Sequence, residues 1–168
     1  RHQRRDVRRP YDRDAAVLPR AGFGGRAAKR RDAINVACIG VGGMGLQDVR
    51  NFGNVPDVNI YALCDVDTRA AAEAIGLFPK AKRYRDYREM LVKEASSIDA
   101  VTVSTPDHSH AAASIMALKA GKHVYCQKPL ARTLGEVRAM IAAAKSAKGS
   151  TQMGNQGHAG EGGRLIRE

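Results

Sequence analysis

The chain is 168 residues long, 43% hydrophobic, with a formal charge of +11, which suits one domain with its own core and excludes two large ones. Such a charge points to nucleic acid or an acidic membrane surface when it covers a folded face, but +7 of it falls in residues 1–33. No run approaches the roughly 20 apolar residues of a membrane span, and three cysteines without CxxC spacing argue against a disulfide framework or a zinc site.

Residues 1–33 show no apolar periodicity and are rich in Arg, Gly and Pro. Nothing there offsets the entropy of ordering the segment, so the expectation is a disordered basic extension without a nucleic-acid role. Arg4-Arg5 and Arg8-Arg9 suggest a twin-arginine export signal, yet "AAVLP" is far shorter than the apolar stretch of about 7 to 15 residues such a signal needs. A cytoplasmic location is expected, with periplasmic export as the alternative. The missing initiator Met and the break in "GEGGRLIRE" read as a fragment of something longer.

From Ile34 onward, β-rich runs alternate with helical patterns. The predicted series is strand 34–40, helix 43–52, strand 58–67, helix 68–78, a short strand in "KRYRD", helix 87–95, strand 98–105, helix 108–121, strand 123–127, helix 133–148 and strand 151–154. Near-continuous apolar strands separated by helices imply a parallel sheet covered on both faces and joined by right-handed crossovers. The fold class is therefore α/β, a Rossmann-type doubly wound sheet over 34–157, with 158–168 opening a truncated further region. Thr133 and Glu136 form a capping-box pattern, and Gly121 reads as the C-cap of the helix before it.

The first strand runs into Gly40-Val41-Gly42-Gly43-Met44-Gly45, followed by a helix and, twenty residues past Gly45, by Asp65 at the end of the second strand. In that context GxGxxG is a dinucleotide-binding pattern, with Gly40 for the turn, Gly42 for backbone approach to a pyrophosphate and Gly45 for helix packing. Gly43 and Met44 open the helix, whose N–H groups and dipole suit phosphate. Asp65 is placed to accept from ribose hydroxyls and to repel a 2'-phosphate, so NAD is expected over NADP. Arg69 is the residue that could argue for NADP, although a surface charge explains it; Asp67 reads as a helix cap.

Ligands of open α/β sheets bind beyond the carboxyl ends of the strands. Three further strand ends deliver polar loops there: Ser104-Thr105-Pro106-Asp107-His108-Ser109-His110, Gln127-Lys128-Pro129, and Gln152-Met153-Gly154-Asn155-Gln156-Gly157-His158. Thr105 and Pro106 are expected to line the cofactor crevice, with Ser104, His110, Gln127, Lys128 and Asn155 as further contacts, and Asp107 to cap the next helix. His108 and His110 lack a third ligand at useful spacing, so no metal is expected. The run "KAKRYRDYRE" reads as packing tyrosines with solvent-facing charges rather than a nucleic-acid patch.

Together "ACIGVGGMG", "ALCDVD", "STPDHSHAAASIMALKAGKHVYCQKPLA" and "QMGNQGH" resemble the nucleotide-binding domain of the glucose-fructose oxidoreductase, inositol dehydrogenase and MocA family. The resemblance implies an NAD(P)-dependent oxidoreductase acting on sugars, cyclitols or their derivatives, a homo-oligomer when full length, with further catalytic residues in a second domain. The family's Glu-Lys-Pro motif falls on Gln127, Lys128 and Pro129, an amide standing where the family has an acid. Lys128 is the expected catalytic base, because a cationic nicotinamide beside it disfavours the ammonium. Two rivals are a non-catalytic nucleotide-binding module and an NAD-dependent glycosidase of the same family.

Overall fold

The computed structural model describes residues 33–166; of the extension expected over residues 1–33, all but the last residue lies outside them. Six parallel strands form one sheet in the order β3-β2-β1-β4-β5-β6: β1 (Ile34–Ile39), β2 (Val58–Cys64), β3 (Lys82–Tyr84), β4 (Ala100–Val103), β5 (His123–Gln127) and β6 (Thr151–Gly154). The helices are α1 (Met44–Gly53), α2 (Ala72–Leu77), α3 (Tyr87–Lys93), α4 (His110–Lys119), α5 (Leu134–Ser146), α6 (Gln156–Ala159) and α7 (Glu161–Leu165). The chain starts in the middle of the sheet, builds outward to β3, then returns to the other side of β1. That reversal separates the carboxyl ends of β1 and β4 and opens the crevice where such sheets bind ligands.

Strand β1 shows why the sheet is buried on both faces. Val36 and Cys38 face a core with Val49 of α1 and Ala74 of α2, while Ala37 and Ile39 face the opposite core with Met90, Leu91, Ala113 and Leu118 of α3 and α4. A side chain buried as fully as Leu91 contributes about 1.5–3 kcal/mol relative to exposure. Cys38, Cys64 and Cys126 are buried and free, and burial pushes the Cys38 and Cys64 thiols up to about 12. They are inert core residues.

Local signals behave as expected at two ends. Thr133 and Glu136 make the reciprocal capping box of α5, and Gly121 takes φ +74° while Gly121 and Lys122 N–H groups donate to Leu118 and Ala117 carbonyls, a Schellman ending for α4. Elsewhere the elements are shorter than the patterns suggest. The helix expected from 68 begins at Ala72, because Asp67 Oδ1 accepts from Arg69 N at 2.9 Å and holds 67–71 as a turn. Asp107 does not cap α4 through its side chain; it begins a 3-10 turn, Asp107–Ser109.

At the far edge, the β1–β2 register shifts between Val36 and Ala37 so that Tyr61 is the extra residue of a bulge. Glu94 accepts from the Tyr61 and Tyr84 hydroxyls, each at 2.6 Å, and from Lys82 Nζ at 2.7 Å. These contacts hold the Glu94 carboxyl down at about 2, Lys82 first among them, and pin short β3 against the end of α3. Lys82 is paired while its side chain stays half exposed. Tyr84 and Tyr87 pack on the core, as the sequence suggests. Among the described residues no helix is long and apolar enough to cross a membrane.

Candidate functional site: the strand-end crevice

The glycine loop is set by sterics. Gly40 has φ +77°, and a Cβ there would lie 2.7 Å from the Ser104 carbonyl oxygen; a Cβ at Gly45 would overlap the Gly40 carbonyl oxygen. Only glycine lets α1 start this close to β1 and β4. Gly43 occupies the N-cap of α1 with no side-chain acceptor, so the opening turn of this ten-residue helix presents backbone N–H groups to an anion. Met44, next to it, is exposed.

Asp65 is fastened to that loop. Its Oδ2 accepts from Val41 N at 2.9 Å and its Oδ1 from Asp67 N at 3.0 Å. Each oxygen keeps a lone pair for a hydroxyl. Beside it lies a cavity of about 330 Å³ walled by Val41, Leu63, Asp65 and Ile75. Arg69, the sequence-level concern, pairs with Asp67 at 3.4 Å. Arg83 and Arg85 line the cavity instead, and Arg85 donates to the Val66 carbonyl at 3.1 Å. Both are exposed, as the sequence suggests, and the parallel register of β3 with β2 sets Arg83 at the rim of that cavity.

Across the reversal, Ser104 Oγ donates to Asp48 Oδ2 at 2.7 Å. Thr105 Oγ1 accepts from Ser109 Oγ at 2.9 Å, and the Pro106 carbonyl accepts from Ser109 N at 3.0 Å. His110 corrects an expectation. It is 1% exposed, with Nδ1 2.6 Å from the Pro129 carbonyl oxygen and Nε2 2.6 Å from that of Thr105. Both ring nitrogens face carbonyl oxygens and the protonated one donates to its neighbour, so His110 packs between two loops rather than offering a contact to a ligand.

The Lys128–Pro129 peptide is cis. Gln127 is buried at 4% exposure and its Nε2 donates inward to Asp48 Oδ2 at 2.8 Å, whereas Lys128 is exposed. Lys128 borders an open cavity of about 820 Å³ with Asn155, Gln156, His158 and Ile166. Asn155 precedes α6 without a side-chain cap bond.

Two participants were missed by sequence reasoning. Asp48 is 2% exposed, and Gln156 Nε2 reaches both Tyr125 Oη at 3.1 Å and Asp48 Oδ1 at 3.4 Å. The signal for Asp48 was its spacing: Gly45, Asp48 and Val49 all lie on the buried stripe of α1.

Comparison with known proteins agrees with this geometry. Residues 34–155 match the Gfo/Idh/MocA model, described as an oxidoreductase family with an NAD-binding Rossmann fold, and the chain belongs to that family. It is 33% identical over 121 residues to a glycosyl hydrolase family 109 protein of Shewanella pealeana, covering 67% of this chain and 26% of that one. It is 30% identical over 124 residues to the inositol 2-dehydrogenase of Salmonella typhimurium, covering 72% and 36%. The crystal structure of myo-inositol 2-dehydrogenase from Lactobacillus plantarum superposes with a TM-score of 0.75 at 28% identity, covering 80% of this chain and 40% of that one. The chain thus spans roughly a quarter to two fifths of these relatives.

Proposed function

We propose that this domain binds NAD and serves an oxidoreductase acting on a carbinol carbon of a sugar, cyclitol or derivative. The observation that carries the reading is the Asp65 carboxylate bonded to Val41 N inside the strand–glycine loop–helix unit, with the opening turn of α1 on one side and the Gln127-Lys128 strand end on the other. NAD supplies the hydride acceptor. The first turn of α1 binds its pyrophosphate, Asp65 takes a ribose hydroxyl, and Lys128 accepts the substrate hydroxyl proton. The negative charge of Asp65 favours NAD over NADP, while Arg83 and Arg85 at the same cavity set a limit on that preference. Calorimetric titration with both cofactors tests the reading; failure to bind either one sinks it.

The family 109 glycosyl hydrolase relative favours a second reading for the whole protein, net hydrolysis of a glycoside with the cofactor returned unchanged. Both readings use the same domain. Net accumulation of NADH during turnover selects the dehydrogenase, and release of free sugar without it selects the glycosidase.

A further inference from the structure

Asp48 is a buried carboxylate whose hydrogen-bond partners are all neutral. Its Oδ2 accepts from Ser104 Oγ at 2.7 Å and Gln127 Nε2 at 2.8 Å, and its Oδ1 faces Gln156 Nε2 at 3.4 Å. Removing a carboxylate from water without a counter-charge is tolerated when fixed donors fill its lone pairs. Here the donors come from three successive strand ends, after β4, at β5 and after β6, so one side chain of α1 gathers the whole far rim of the crevice.

The contact also settles which way Gln127 points. A carboxylate can only accept, so the amide nitrogen faces Asp48 and Oε1 faces Lys128 N at 3.3 Å. Gly154 adds a second constraint, since a Cβ there would lie 2.7 Å from the Tyr125 hydroxyl and 2.9 Å from Gln127 Cδ. Strand β6 is bare at that point to admit the amide. An acid at position 127 would put two carboxylates within hydrogen-bonding distance of each other, where both cannot ionise cheaply.

We propose that Asp48 is the positioning residue of this site: it orients Gln127 and the backbone entering Lys128, and it is the reason an amide rather than an acid is needed at residue 127. The ligand-binding part of the proposal rests on the cofactor reading above; the pairing itself does not.

The test exchanges the polarity of the pair in the full chain, comparing wild type, Gln127→Glu, and Asp48→Asn with Gln127→Glu. Thermal unfolding midpoints are taken from about pH 5 to pH 8, with NADH affinity measured in parallel. In Gln127→Glu the folded state holds a proton that the unfolded chain releases at ordinary carboxylate pH, so stability falls relative to wild type as pH rises through that window. NADH binding should weaken at least about tenfold at the upper end. In the double variant the amide now on α1 donates to the carboxylate now on β5, which removes the added pH slope and returns affinity to within about threefold of wild type. If Gln127→Glu does not fold, recovery of a folded, NADH-binding double variant is the supporting result, and failure of both overturns the proposal. A double variant no better than Gln127→Glu, or a Gln127→Glu variant without the added slope, also overturns it. Wild type that binds no NADH while the stability arm behaves as stated removes the cofactor reading and leaves the pairing standing.

Discussion

The His110 ring lies 2.6 Å from the Pro129 carbonyl oxygen, and its other nitrogen is equally close to Thr105. A side chain at the start of α4 thus ties the loop after β4 to the loop after β5. Replacing it with Ala removes the ring donor from between two carbonyls. His110→Ala should lose about 1–3 kcal/mol of unfolding free energy in urea melts, with weaker NAD binding at a temperature where the variant is still folded. Unchanged stability would show that the ring is a passenger.

Gly45→Ala should be more damaging, because the added methyl overlaps a backbone oxygen of Gly40 rather than a flexible side chain. A cost of about 1–3 kcal/mol or more is expected from overpacking, together with loss of cofactor binding as α1 shifts from the strand. Gly43→Ala meets no atom within 4 Å. Its penalty comes from backbone alone, φ +52° and ψ −118°, and should be about 1–3 kcal/mol. Chemical denaturation of both variants checks the order.

Asp65→Ala removes an acceptor from the glycine loop as well as a charge. The ratio of NADP to NAD dissociation constants should fall toward one. Asp65→Asn, which can still accept from Val41 N, should narrow the ratio with less loss of NAD affinity. Titration of each variant with both cofactors reads this directly.

On the proposed function, Lys128→Met in a catalytically active form of the protein should leave NAD affinity within about twofold and lower turnover by about 10² to 10⁴. Lys128 is exposed and stands on a strand end whose preceding residue is buried, so its loss does not disturb the core. Normal turnover in this variant would return Lys128 to the status of a solvated charge.

The Glu94 cluster gives a pH prediction. Its carboxyl sits at about 2 in the folded domain, against an ordinary value of 4.5, because Lys82, Tyr61 and Tyr84 all donate to it. The resulting stabilisation is present above pH 4.5 and is lost as pH falls from there toward about 2. Glu94→Gln should be less stable at neutral pH and lose less on acidification, so the two melting curves converge in acid. Parallel curves would show that the cluster adds nothing.

The order and type of the elements through β6 were legible because hydrophobic runs and turn residues agree with one another along this chain; the short α6 and α7, rich in glycine and without an apolar stripe, were not. Gly40, Gly45 and Asp65 were legible too, since their meaning depends on local spacing. Asp48, Gln156 and the inward amide of Gln127 were not. Their meaning lies in pairings across 79 and 108 residues, and an acid on the buried stripe of a helix looks like an error in the pattern until its donors are known. Arg83 and Arg85 are solvated, as a basic run suggests; that they also border the Asp65 cavity depends on strand pairing, which the run alone does not show. His110 was assigned to the crevice by position alone, whereas burial makes it a strut.

The order β3-β2-β1-β4-β5-β6 has a kinetic side. During synthesis Asp48 emerges long before its donors, and Gln156 arrives 108 residues later. A nascent chain ending before β5 therefore holds only Ser104 of the three donors to Asp48. Contacts this distant in sequence are slow to form because the intervening loop must close first. The rim that Asp48 gathers is thus complete only when the segment after the last strand has arrived.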